Sequence, residues 1–157
     1  MTVAAGYYRG SLRKAESVHF GLNFPAPEGK GKKVVLYYNE QGLLKKLLQP
    51  GVVEIGSHRI KNVGSRSYVV RLELVNIPQG VEVIWETNQL AWDEATKTLR
   101  RPLKPRQRFG MSWVFHIPEE LREKPVIYDG GLRVIDAETG EQLAFLPIKI
   151  VNRGEAR

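Results

Sequence analysis

Cysteine is missing from all 157 residues. That excludes disulfides, thiolate metal sites, a cysteine nucleophile and the blue-copper type of sandwich, and it leaves the compartment open. Histidine is scarce, with His19, His58 and His116 the three present. A metal centre would have to gather them from separate strands, and neither His-x-His nor His-x-x-x-His spacing occurs, so no metal or other cofactor is expected. No apolar run approaches the roughly 20 residues that span a bilayer. The opening MTVAAGYYRG is too short and polar to hold the apolar core of a signal peptide. A cytoplasmic chain and a mature exported domain both fit that opening.

Catalytic signatures are also missing. Gly-x-Ser-x-Gly is absent, and Ser57 beside His58 cannot form a serine–histidine pair, because neighbours in a strand point to opposite faces. Glu28-Gly29-Lys30-Gly31-Lys32-Lys33 lacks the phosphate-loop spacing. Glu82 and Glu86 share one strand face, as two solvating acids do on any exposed strand. The chain is therefore expected not to be an enzyme.

What the chain does have is period-two hydrophobicity. Tyr68, Val70, Leu72 and Leu74 alternate with Val69, Arg71 and Glu73; Val81, Val83 and Trp85 alternate with Glu82, Ile84 and Glu86. Phe109, Met111, Trp113, Phe115 and Ile117 form the clearest such run, and Val18, Phe20, Leu22 and Phe24 form another, which Pro25-Ala26-Pro27 stops. Lys33–Tyr38, Val126–Tyr128, Leu132–Ile135 and Leu143–Ile150 read as further strands. Pro147 suggests an edge or a bulge in the last of them.

Asn62-Val63-Gly64-Ser65, Asn76-Ile77-Pro78-Gln79-Gly80 and Asp136-Ala137-Glu138-Thr139-Gly140 are turns. Asn88–Thr98 reads as a hairpin or excursion. Leu43, Leu44, Leu47 and Leu48 recur at helical spacing, and Glu119–Lys124 suits one helical turn. The expectation is an all-β, immunoglobulin-like antiparallel β-sandwich of about eight strands with one short helical turn. An arm over 1–17 precedes the domain, 18–153, and a tail follows over 154–157.

Charge is uneven along the chain. Residues 1–108 carry 18 Lys/Arg against 9 Asp/Glu, and residues 109–157 carry 6 against 8, so the net +7 comes from the first two thirds. A basic surface attracts acidic partners; it also keeps a protein soluble. The densest stretch, Leu99–Arg108, holds Arg100, Arg101, Lys104, Arg106 and Arg108 with no acid, and Pro102 and Pro105 keep it extended and outside any central strand. With Trp92 and Phe109 at its ends, it can follow a phosphate or sulfate backbone while an aromatic ring stacks on a base or sugar. The same arginines can instead pair with acids of their own domain or of a second subunit.

The sequence Leu48-Gln49-Pro50-Gly51, then Ile60-Lys61-Asn62-Val63-Gly64-Ser65, then Tyr68–Leu74 resembles a pattern of immunoglobulin-like domains in prokaryotic envelope proteins, including camelysin and the TasA-type fibre proteins. The resemblance implies an exported, non-catalytic assembly or adhesion module at the cell surface or envelope. It carries over no catalytic residue.

The expected function is a binding or assembly module that recognises a protein or anionic polymer through end loops and edge strands. Arg100, Arg101, Lys104, Arg106, Arg108 and Trp92 are its candidate contacts, and self-association through an edge strand is a further possibility. Two alternatives stand beside it: a nucleic-acid-binding β-barrel using residues 99–108, and an accessory domain of a carbohydrate-active or other hydrolytic enzyme.

Overall fold

A computed structural model describes residues 17–26, 33–38 and 51–152. The expected arm up to residue 16, most of the glycine–lysine loop, the leucine-rich turn and the tail lie outside the described residues. Among the described residues there are ten strands: β1 (Ser17–Phe24), β2 (Val34–Tyr38), β3 (Val52–Asn62), β4 (Tyr68–Val75), β5 (Glu82–Glu86), β6 (Trp92–Asp93), β7 (Thr98–Leu103), β8 (Arg108–His116), β9 (Val126–Asp136) and β10 (Gln142–Asn152). A 3-10 turn, Glu119–Leu121, is the short helical piece.

The strands form two sheets, ordered β1-β3-β8-β5 and β2-β10-β9-β4-β7-β6, and their apolar faces meet as a sandwich. Neighbours run antiparallel except at two outer positions, where β1 lies parallel to β3 and β2 parallel to β10. The period-two runs explain the core. In β8, Phe109, Met111, Trp113 and Phe115 are buried, while the residues between them are half-buried on the outer face. Tyr68, Val70 and Leu72 of β4 approach from the other sheet, and Phe115 meets Tyr128 across the gap at 5.6 Å between ring centres. Each large side chain fully buried there contributes about 1.5–3 kcal/mol.

Three departures from the expected pattern have physical reasons. Val126–Tyr128 and Leu132–Ile135 are one strand, β9, which passes straight through Gly130-Gly131. A Cβ at Gly130 would collide with the Val75 carbonyl, and one at Gly131 with the Phe145 ring, so these glycines permit close packing instead of making a turn. Pro147 sits inside β10 opposite Gly131 without a bulge. Among the described residues β2 pairs with β10 only from Ile148 onward, so the missing N–H interrupts no ladder described there. Finally, Thr98–Leu103 is a strand between β4 and β6, despite Pro102.

Candidate functional site

The basic stretch forms the corner at which the chain leaves the six-stranded sheet for the four-stranded one. Leu99 and Leu103 anchor β7 in the core. They pair with Val70 and Tyr68 of β4, so four steps on β7 oppose two on β4. The surplus is a bulge of Arg100, Arg101 and Pro102, all exposed. Pro102 is tolerated here because the bulge makes no ladder bond to β4.

The following turn, Lys104–Gln107, is closed twice: Gln107 N–H donates to the Lys104 carbonyl and Lys104 N–H to Gln107 Oε1, both at 2.9 Å. Arg106 stands in the left-handed region, φ 70°, which strains a non-glycine residue.

Asn62 holds this corner in place. Its side chain is fully buried. Its Nδ2 donates to the carbonyls of Leu103 (2.9 Å) and Arg66 (2.8 Å), and its Oδ1 accepts from Gly64 N–H (2.8 Å). Its backbone accepts from Arg106 N–H at 2.7 Å and donates to the Gln107 carbonyl at 2.9 Å. One asparagine thus fixes both the β3–β4 turn and the β7–β8 turn, leaving none of its polar groups idle.

The five candidate cations separate into groups. Arg100 Nε and Nη2 both donate to Asp93 Oδ2, at 2.8 and 2.5 Å. That guanidinium, with N–H donors from Ala95 and Thr96, holds the Asp93 carboxyl below its usual range. Arg101 donates to the neutral amide oxygen of Gln89 at 3.1 Å. Lys104, Arg106 and Arg108 are exposed, and none of their side chains meets a carboxylate among the described residues.

Two further cations join the corner. Lys61 lies opposite Arg108 in the β3–β8 register, and Arg59, two residues back on β3, shares that outer face. The antiparallel β3–β8 pairing that brings the two segments together did not show in either segment alone.

Trp92 is placed elsewhere. It stacks on Trp85 at 6.0 Å and leans on Phe109 at 6.4 Å, while its Nε1 donates to Glu94 at 2.9 Å. Trp85 in turn meets Trp113 edge-on at 5.7 Å, and Trp113 stacks on Phe20 at 6.0 Å. This aromatic series runs through the sandwich from β6 to β1.

The histidines and acids take the polar positions that alternation gives them. His19 and His58 are exposed and stack at 5.6 Å on the outer face of the four-stranded sheet, with His116 further along β8. Ser57 is buried and His58 exposed. Among the described residues, no group of three or more His, Asp or Glu side chains is arranged to hold a metal ion, and no helix is long and apolar enough to cross a membrane. The chain matches no protein-family model, no curated protein and no solved structure.

Proposed function

We propose that the chain is a non-catalytic binding module of the cell surface or envelope that takes an anionic polymer across the basic corner. One observation carries this reading: Arg101 on the β7 bulge, Lys104 and Arg106 on the turn and Arg108 at the start of β8 stand around a corner pinned by a buried asparagine, and no carboxylate neutralises them among the described residues. Cations on a fixed turn meet a repeating anion with little loss of backbone freedom. Arg59 and Lys61 extend the track along the sheet face. The placement at the surface rests on the resemblance carried by Leu48–Leu74.

Salt-dependent binding to immobilised heparin and polyphosphate tests it. Four phosphate or sulfate contacts give a log–log salt slope of roughly −3 to −4. Replacing Arg101, Lys104, Arg106 and Arg108 with Gln together removes most of that slope in a protein whose circular dichroism is unchanged. Binding that survives the fourfold substitution overturns the proposal. A clear preference for single-stranded DNA over heparin of equal charge would move the assignment to nucleic acid, although Trp92 packs against Trp85 and Phe109 instead of standing free as a stacking platform.

A further inference from the structure

The opposite end of the same sheet carries a second surface with the opposite charge. β5 is the last strand of the four-stranded sheet, and among the described residues no strand pairs with its outer side. On its solvent face Glu82, Ile84 and Glu86 are exposed, with Ile84 at 42%. No hydrogen bond or ion pair occupies either carboxylate among the described residues. On its inner face Val83 and Trp85 are half-buried and border an open cleft of about 320 Å³, shared with Leu72, Leu74, Ile77 and Val81. The cleft exists because β7 pairs with β4 only as far as Arg71, leaving the rest of that β4 edge without a strand partner among the described residues. Lys97 sits at the rim, 5.0 Å above the Trp85 ring, with its charge met by Glu94 at 2.9 Å.

We infer that β5 accepts an extended peptide strand with the pattern basic–apolar–apolar–apolar–basic. Cross-strand chemistry dictates the pattern. A strand added beside β5 places alternate residues opposite Glu82, Ile84 and Glu86, where Lys or Arg, an apolar residue, and Lys or Arg are complementary. The two residues between them lie opposite Val83 and Trp85, and there apolar side chains enter the cleft. The pattern reads alike in both directions, so it suits parallel and antiparallel addition.

A second copy of this chain is a poor occupant. Two β5 strands paired about Ile84 would set Glu82 against Glu86 twice, and in-register parallel pairing would set each glutamate against itself. This inference deepens the binding-module reading by naming a peptide partner, and it uses none of the corner residues.

The probe is the peptide acetyl-Gly-Lys-Val-Val-Val-Lys-Gly-amide, compared with its Glu-for-Lys counterpart by titration and by hydrogen exchange of the whole chain. The net charge of +7 repels the lysine peptide and attracts the glutamate one, so non-specific attraction works against the expected result. The expected result is that the lysine peptide binds roughly tenfold or more tightly than the glutamate peptide and slows exchange at Val83–Glu86. The double variant Glu82→Lys, Glu86→Lys reverses the preference, and the fourfold corner variant leaves it unchanged. Equal binding of the two peptides, an unreversed preference in the double variant, or no binding of the lysine peptide at millimolar concentration each overturns the inference. Loss of heparin binding with the peptide preference intact, or the converse, shows which of the two surfaces is wrong.

Discussion

At one end of the four-stranded sheet's outer face stand Arg59, Lys61 and Arg108; toward the other stand Glu54, Glu82 and Glu86. The cations ride on β3 and β8 and the carboxylates on β3 and β5, and the two sets are held by different physics. The cations depend on a turn whose position is set by hydrogen bonds converging on one buried amide, Asn62. Glu82 and Glu86 depend on a short edge strand backed by the Trp85–Trp113 contact. A polar hub responds to the exchange of single atoms, whereas an aromatic support responds to lost volume. The two ends should therefore fail separately.

The largest effect is expected at Trp113, which is fully buried between Phe20 and Trp85. Trp113→Ala should destabilise the fold by about 3–5 kcal/mol in denaturant unfolding, through lost burial and a residual cavity. Its Nε1 has no hydrogen-bond partner among the described residues, so Trp113→Phe removes an unsatisfied donor along with some volume and should cost clearly less. Equal losses for the two variants would show that the N–H is satisfied in solution.

Asn62 comes next. Asn62→Ala strands the Leu103 carbonyl in the interior and frees Gly64 N–H and the Arg66 carbonyl, for about 2–3 kcal/mol. Hydrogen exchange should quicken at Gly64 and Arg106 and stay slow at Val83 and Trp85. Uniform loosening of both ends would break the contrast drawn between them. Asn62→Asp keeps the acceptor for Gly64 but sets a buried carboxylate against the Leu103 and Arg66 carbonyls, so it should cost at least as much as Asn62→Ala.

These two residues also mark how far the sequence could be read. Trp113 lies in the strongest period-two run, and alternation alone puts it in the core. Asn62 is visible as a turn former, since an Asx side chain bonding the N–H two residues on is a local matter. Its reach to Leu103 is not visible, because that contact joins segments 41 residues apart. The cation-rich stretch was legible as composition. Its strand, its bulge and the Arg100–Asp93 pairing depend on register against β4 and β6, which no local pattern specifies. Gly130-Gly131, between the expected strands Val126–Tyr128 and Leu132–Ile135, is ambiguous in the same way: glycine signals both turns and close approach, and only the neighbouring Val75 carbonyl and Phe145 ring decide between them. The β5 edge is legible as alternation, but its place at the end of the sheet among the described residues depends on the pairing of distant segments.

A smaller, pH-dependent effect belongs to the buried Asp136, which ties the Asn62 corner to the β9–β10 turn through Arg66 at 3.3 Å. Burial pushes its carboxyl up, but N–H donation from Glu138, the Arg66 guanidinium and contacts from Thr139 outweigh that and hold it below its usual range. A depressed carboxylate stabilises the fold fully above its ordinary titration, near pH 4, and the contribution disappears as pH falls through the lower folded value. Asp136→Asn should therefore flatten the acid limb of stability against pH and change its neutral slope little. An unchanged acid limb would assign the acid sensitivity to other carboxylates.

The finest distinction lies within the corner itself, between Arg100 and its neighbours. Arg100 already gives two hydrogen bonds to Asp93, and an exposed ion pair of this kind adds little to stability. As a polymer contact it is occupied, so Arg100→Gln should leave the salt slope of heparin binding nearly unchanged, whereas Lys104→Gln should lower it by about one. Asp93→Asn is the sharper variant. It releases a guanidinium at the bulge and should raise the slope by about one, turning a partnered arginine into a contact. If Arg100→Gln lowers the slope as much as Lys104→Gln does, the polymer must draw Arg100 away from Asp93. The corner would then be a surface that its ligand rearranges, in contrast to a β5 edge whose two glutamates meet no cation among the described residues.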